Sequence, residues 1–487
     1  MFPLTIIKNK MNTDSSPQKS SRSASAPAKA PQRTGIFYSA RQALRRHASG
    51  GNILVAVTVL ALVIANIPGI NQDYFDFWEQ EVRLQLGSFN IFSHSGHPMS
   101  LLSFINDALM AIFFFSIGLE IKRGVLVGEL SSFRNALLPI VAAIGGMIVP
   151  VVIFWLMSRG TDFAGGAAIP MATDIAFSLG VLSMLGKRVP MSLKIFLTTL
   201  AVVDDIGGII VIAAFYSSHI EYMLLVYAAA LFGVLLLGSV LRIKSKIFYL
   251  AIGGVIWFLF LNSGIHPTIA GVLVAFCVPA TPVFAPSKYI KIIKRAIGHF
   301  ADDDPEDLRA RTILGREQLN WLKEVESASD KVISPLQDLE DSLHPIVNYF
   351  IVPLFAFANA GILLLGMEPA SMVEGVSLAV ILGLVIGKFV GIFSFSWLTV
   401  RLGLAPMPSH SNWHTMGAIS MLGGIGFTVS IFIATLSFDG ADPVQASRLS
   451  HAKLGIVIGS VVSGIIAFIW LHLTLPHGAA PDAVEED

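Results

Sequence analysis

The chain has 487 residues, of which 54% are hydrophobic and only 14% charged, whereas charged residues make up about a quarter of an ordinary soluble chain. That balance excludes a water-soluble globular protein. Cys277 is the only cysteine, so neither an internal disulfide nor a thiolate metal cage can form. Lys+Arg and Asp+Glu number 33 each, which argues against a nucleic-acid binder.

In chain order, residues 1–50 hold a Ser/Ala/Pro/Lys-rich run from Ser15 to Thr34. It has too few large apolar side chains for a core and reads as a disordered tail. The apolar opening from Phe2 to Ile7 is shorter than a signal-peptide core and is followed by no small-residue cleavage site, so a secretory signal is not expected. The Arg/Ser-rich composition leaves organellar targeting as the alternative. From Asn52 onward, apolar stretches able to cross a hydrocarbon layer, about 20 helical residues each, recur twelve times. They cover roughly 52–68, 100–123, 136–157, 167–185, 192–216, 221–240, 247–262, 265–280, 345–365, 375–400, 413–437 and 448–473. With the tail inside the cell, the outward segments carry only Arg83, Arg159, Arg448 and Lys453 and the inward ones nearly all other basic residues. The positive-inside rule then places both termini in the cytoplasm.

The expected architecture is an all-α polytopic membrane protein. After the tail come eight membrane helices over 51–280, a cytoplasmic insert at 281–344, four helices over 345–475 and an acidic cytoplasmic tail at 476–487. Between the first two helices, Val82 to Leu86 and Phe89-Asn90-Ile91 alternate around Gly87-Ser88, a small β-hairpin on the outer face. In the insert, Tyr289, Ile292, Ile293, Ala296, Ile297 and Phe300 recur at helical spacing between Lys288, Lys291, Lys294 and Arg295. Such a basic amphipathic helix suits the inner membrane surface.

A charge at the centre of a membrane helix costs on the order of 2.5–3.5 kcal/mol on insertion scales, so chains that tolerate several usually use them. Asp107, Asp174, Asp204, Asp205 and Lys388 lie well inside spans, and Glu120 near the inner end of one. Asp204 and Lys388 both come about 18–20 Å from the start of their spans. Opposite charges at one depth suggest a single site. Successive residues point about 100° apart, so one member of the Asp204-Asp205 doublet can meet Lys388 while the other faces a cavity. Asp107 can instead serve structure, bonded to polar neighbours such as Asn106.

Two spans carry helix-breaking residues. Pro170 precedes Met171-Ala172-Thr173-Asp174, and Gly423-Gly424-Ile425-Gly426-Phe427 lies in the eleventh span. These are the middle helices of the triplets three to five and ten to twelve, which run in opposite senses. Interrupted helices at matching places in inverted repeats point to a transporter site. Asp174 could offset the positive half-helix ends and Lys388 the negative ones. Protons and a hard monovalent cation then compete for the same carboxylates, with Thr173 and backbone oxygens completing the shell. A Na+-coupled symporter of an organic anion is the alternative on the same scaffold. An intramembrane aspartyl protease lacks its Gly-x-Gly-Asp signature and is a distant third, so no enzyme is expected.

Gly118-Leu119-Glu120-Ile121-Lys122-Arg123, Ala172-Thr173-Asp174-Ile175-Ala176-Phe177, Val203-Asp204-Asp205, Pro353 to Gly361 and Gly424-Ile425-Gly426-Phe427-Thr428 together resemble bacterial Na+/H+ antiporters of the NhaA type, over about residues 50–475. The resemblance implies a homodimeric inner-membrane exchanger, electrogenic and pH-dependent, that passes one Na+ or Li+ for two protons without a cofactor. It implies that Asp205 and Asp204 bind ion and protons, that Thr173 and Asp174 sit at the helix-four crossing, and that Lys388 pairs with Asp204. It further implies pH sensing by Glu120, Arg123, Glu340 and His344 and a dimer contact through the hairpin at 82–91. His266 matches a family histidine linked to pH response, although its residue context reads as a satisfied interface group. The chain departs from the pattern at Gly124, Asp341 and Phe389 and in the length of 281–344.

Overall fold

The computed structural model describes residues 50–476, apart from 87–88, 91, 95–96, 218–219, 282–285, 302–314, 365–373 and 441, together with Gly478. The expected disordered tail before Gly50, the hairpin tip Gly87-Ser88 and nearly all of the acidic tail at 476–487 lie outside the described residues.

The chain is mostly helical, and its helices follow the apolar runs. Helix α1 (Gly50–Ala65) leads through α2 (Asn71–Glu79) to five short strands, β1 (Glu81–Val82), β2 (Gln85–Leu86), β3 (Phe89–Asn90), β4 (Ser93–His94) and β5 (His97–Ser100). Helices α3 (Leu101–Val127), α4 (Phe133–Ser158), α5 (Ile175–Leu185), α6 (Met191–Phe215), α7 (Tyr222–Val240), α8 (Lys246–Leu261) and α9 (Pro267–Cys277) follow. The insert forms α10 (Pro286–Ala301) and α11 (Arg316–Val332). Then come α12 (Pro335–Ile346), a π turn at Val347–Ile351, and α13 (Val352–Asn359). The chain continues with α14 (Gly375–Arg401), α15 (Trp413–Leu422), α16 (Phe427–Ser437) and α17 (Pro443–Thr474). Starts are set by local chemistry: Ser334 accepts from Gln337 N ahead of Pro335, and Asp442 accepts from Val444 N ahead of Pro443. Each side chain satisfies a donor that the helix leaves open, and proline at the first position has no N–H to lose.

Among the described residues, seven helices are long and apolar enough to cross a membrane, or eight if the bent pair α15–α16 is one crossing. The surface supports the same reading. On α7, Met223 is 64% and Val240 77% exposed, a contiguous apolar face that suits lipid rather than water. Inside, polar residues are sealed off: Thr173, Asp204 and Lys388 have no exposure at all.

The sequence-based hairpin is present but is only part of a larger arrangement. Leu86 faces Phe89 and Gln85 faces Asn90 across the two-residue tip. A second ladder pairs β5 with both β1 and β4, in the order β1-β5-β4. Two-residue strands and Pro98 inside β5 leave too little alternation to announce it.

The two interrupted spans also differ in detail from the sequence reading. Pro170 is not the break itself. It closes a 3-10 helix at Ala164–Met171, and the extended backbone begins at Ala172. The second break lies between Leu422 and Phe427, where the axis turns by 43°.

Close backbone approach fixes α14 against α4. A Cβ on Gly387 would lie 2.7 Å from Pro150 Cα and 3.1 Å from Pro150 N. Gly387→Ala is therefore expected to push these helices apart, shift the adjacent Lys388 and cost about 1–3 kcal/mol. A melting temperature in detergent equal to that of the parent would remove this contact from the fold's requirements.

Candidate functional site

The two broken helices cross, and one carboxylate holds the crossing. Asp174 caps α5, its Oδ1 accepting from Phe177 N at 3.0 Å. Its Oδ2 accepts from Thr428 N at 3.0 Å and from Thr428 Oγ1 at 2.6 Å, in the first turn of α16. Its own N–H donates to Ile425 O at 2.6 Å. A negative side chain thus faces the partial positive charge at two helix N-termini. The first turns of both half-helices would otherwise leave N–H groups unpaired away from water.

The carbonyl ends are met from the other side. Thr173 Oγ1 donates to Gly423 O, just beyond α15, at 2.9 Å, and accepts from Lys388 Nζ at 3.0 Å. Lys388 also pairs directly with Asp204 Oδ2, and both side chains are fully buried. A π turn at Gly383–Gly387 delivers the lysine, whose N–H bonds back five residues to Gly383 O. Such widened turns often mark functional positions in helices.

The doublet on α6 divides. Asp204 meets Lys388, while Asp205 lines a cavity of about 150 Å³ together with Glu120, Thr173, Asp174, His344 and Thr428. One oxygen of each carboxylate, Asp204 Oδ1 and Asp205 Oδ1, is buried without a hydrogen-bond partner. Buried carboxylate oxygens are rarely left so, because each loses its water and gains nothing in return. Asp205, with the Thr173 and Thr428 hydroxyls, gives the cavity oxygen ligands of the hard type suited to a small hard cation or to protons.

One turn along their helices from the cavity-lining Glu120 and His344, Arg123 Nη1 lies 3.2 Å from Glu340 Oε1, and Glu340 Oε2 has no partner. Burial pushes the Glu340 carboxyl from 4.5 up to about 7. Arg123 pulls it down, while Glu120 and Asp341 add to the rise. His344 contacts Asn348 one turn further along.

The remaining polar residues do not join this site. His266 Nε2 lies 3.5 Å from Asp107 Oδ1, and His266 Nδ1 is 2.8 Å from Thr268 Oγ1. Asn106 does not bond Asp107 but accepts from Asn359 Nδ2 at 2.8 Å. These groups tie α3 to α9 and α13. Gly424 and Gly426 mark the crossing, where a Cβ on Gly424 would lie 2.5 Å from Leu384 O and one on Gly426 2.9 Å from Ala172 O. Sequence reasoning missed Thr428 as the second partner of Asp174 and Asn359 as the partner of Asn106. A hydroxyl just inside a half-helix start, directly after the Gly cluster, was the available signal for Thr428.

Two broken helices clasped beside a buried acidic pair define a class, the polytopic membrane transporters with irregular backbone at mid-depth. The chain matches the family described as Na+/H+ antiporter 1 over residues 41–471 and belongs to it. The family is one of transporters rather than enzymes. The chain is 53% identical over 447 residues to the Na(+)/H(+) antiporter NhaA of Phocaeicola vulgatus, covering 92% of this chain and 98% of that one. It is 55% identical over 427 residues to that of Bacteroides fragilis, 87% and 95% of the two chains. With that of Bacteroides thetaiotaomicron it shares 52% over 425 residues, 87% and 94%.

Proposed function

We propose that this protein exchanges cytoplasmic Na+ or Li+ for external protons, and that cation and protons exclude one another at Asp204 and Asp205. The observation that carries this reading is Asp205, which lines the acidic cavity and keeps one carboxylate oxygen unpartnered, beside a lysine-bound twin. When protons leave the pair, a cation replaces them. When the cation leaves, protons return, and Lys388 releases or regains Asp204 to balance the buried charge. Two protons for one monovalent cation make the exchange electrogenic. No cofactor is needed, since the transported ions are the substrates. An organic anion finds little welcome in a small cavity that exposes Glu120, Asp174 and Asp205, which disfavours the symporter reading.

The reading extends to the whole chain. The eight crossings, with α1, α8, α9 and the run 345–359 added, support twelve. Both half-helix N-termini converge on Asp174 from separate spans, which supports inverted repeats over helices three to five and ten to twelve. With the basic residues inside, both termini lie in the cytoplasm and the membrane is the bacterial inner membrane. A homodimer forms through the hairpin at 82–91. In everted vesicles carrying a pH dye, Na+ and Li+ should each release the acid interior while K+ does not. Equal responses to all three would end the proposal.

Glu120, Arg123, Glu340 and His344 supply the pH response at the cavity mouth, with His266 and Asp107 a separate candidate pair. Because Glu340 is raised above its ordinary value, the folded state prefers its protonated form. Its contribution to stability is complete below pH 4.5 and is lost as pH rises through about 7. Above that pH the ionised group binds Arg123 more strongly and reshapes the mouth. Glu340→Gln should flatten the loss of melting temperature across this interval and shift the pH at which exchange begins. Parallel melting curves and an unchanged onset would clear Glu340 of the role.

A further inference from the structure

Helices α10 and α11 of the insert supply none of the residues that line the cavity described above, yet their geometry is specific. The insert leaves the membrane domain just after α9 and returns at α12, where Leu336 N donates to Pro279 O at 3.2 Å. Lys246 Nζ fastens the return through Asp338 at 2.6 Å. Helices α10 and α11, which pack on each other, therefore run out and back as an antiparallel pair. Ala296 and Ala328 are the closely buried residues of their respective helices.

Counting 100° per residue from those packed faces locates the rest of the surface. Measured from the middle of each packed face, which on α11 is drawn by Trp321, Val325 and Val332 as well as Ala328, Ile290 and Ile297 on α10 and Leu322 on α11 fall roughly 70–110° round, and Leu319 roughly 130°, in the same rotational sense. In antiparallel helices that puts all four on one side of the pair, and each is at least 43% exposed. Lys291 and Lys294 lie on the outer edge of α10, and Arg316 and Lys323 on the outer edge of α11. The acids Glu317 and Glu324 fall on the opposite side. Among the described side chains, Glu326 is the exposed acid that shares the apolar side, near the fastened end.

We infer that the α10–α11 pair is a membrane-surface module, its aliphatic strip set into the inner leaflet and its basic edges on anionic lipid headgroups. The charge pattern selects this occupant. An apolar strip between two lysine edges, with acids turned away, matches a negatively charged bilayer surface. A protein groove would have no need of cations on both rims. The inference rests on the proposed orientation, with residues 281–344 on the cytoplasmic side.

The test uses the full chain with Cys277→Ser, carrying a polarity-sensitive fluorophore at Ile297→Cys or, on the opposite side, at Glu317→Cys. In vesicles of phosphatidylglycerol and phosphatidylcholine, nitroxide lipids should quench the label at 297 strongly and that at 317 weakly. In pure phosphatidylcholine the contrast should fade. Each Lys→Gln change at 291, 294 or 323 should lower the embedded fraction relative to the free one about fivefold at low salt. Equal quenching at the two positions, or contrast indifferent to lipid charge, would overturn the inference, as would label-to-label transfer showing the strip covered by a second copy. Labelling of Glu317→Cys by a membrane-impermeant thiol reagent, compared in right-side-out and everted vesicles, reports the orientation separately. Na+-driven proton movement in the same samples reports the exchanger reading.

Discussion

Asp205→Asn is expected to abolish Na+-dependent proton movement in everted vesicles while leaving the protein folded. The amide keeps the shape of the carboxylate, and Asp205 makes no ion pair whose loss would disturb packing. What disappears is the negative charge that faces the cavity. An amide neither releases a proton in the working range nor offers charge to a cation that has shed its water. Binding should vanish in parallel: calorimetry on the purified variant should show neither Na+ uptake nor the proton release that accompanies it in the parent. Exchange at the parental rate would remove the doublet from the mechanism, whatever the fate of the remaining residues.

Lys388→Ala should have the larger effect on stability. The lysine is the cationic partner of Asp204 and the donor to Thr173. Since Asp204 Oδ1 already lacks a partner, the substitution leaves a buried carboxylate without its only cationic partner. Breaking a buried ion pair from one side typically costs about 3–5 kcal/mol. The melting temperature in detergent should fall steeply and exchange should be impaired. Adding Asp204→Asn should recover much of the stability but not the parental exchange, because the uncompensated charge is gone while the ion site is not restored. If Lys388→Ala melted like the parent, the pair would contribute nothing to the fold.

The architecture was readable from the chain wherever hydrophobic length decided it. Spans such as 192–216 and 375–400 reappear as α6 and α14 with ends moved by a few residues. The interruption of two helices was also visible, because Pro170, two residues before the extended stretch, and the Gly423–Gly426 cluster both weaken regular helix for reasons local to the sequence. Its exact form was not. Whether Ala172 to Asp174 or Pro170 itself becomes extended depends on Asp174 reaching Thr428 and Ile425, residues about 250 positions away. For the same reason the asymmetry of the doublet could be reasoned only as far as one acid facing Lys388 and the other facing a cavity. Which is which was implied only by the family resemblance, because it depends on how α6 is turned; in the structure Lys388 meets Asp204. Asn106 shows the limit clearly. Its neighbour in sequence is Asp107, yet its partner is Asn359, which no spacing rule connects to it.

Asp174 makes three hydrogen bonds with its carboxylate and a fourth through its backbone N–H, and three of the four join separate spans. In a region with little water to replace them, these contacts act as a rivet. Any motion that opens the site to the opposite side must carry both half-helices together and find its play elsewhere. The π turns at Val347–Ile351 and Gly383–Gly387 lie in the helices that flank the rivet, and they are where such bending has the least regular backbone to disrupt.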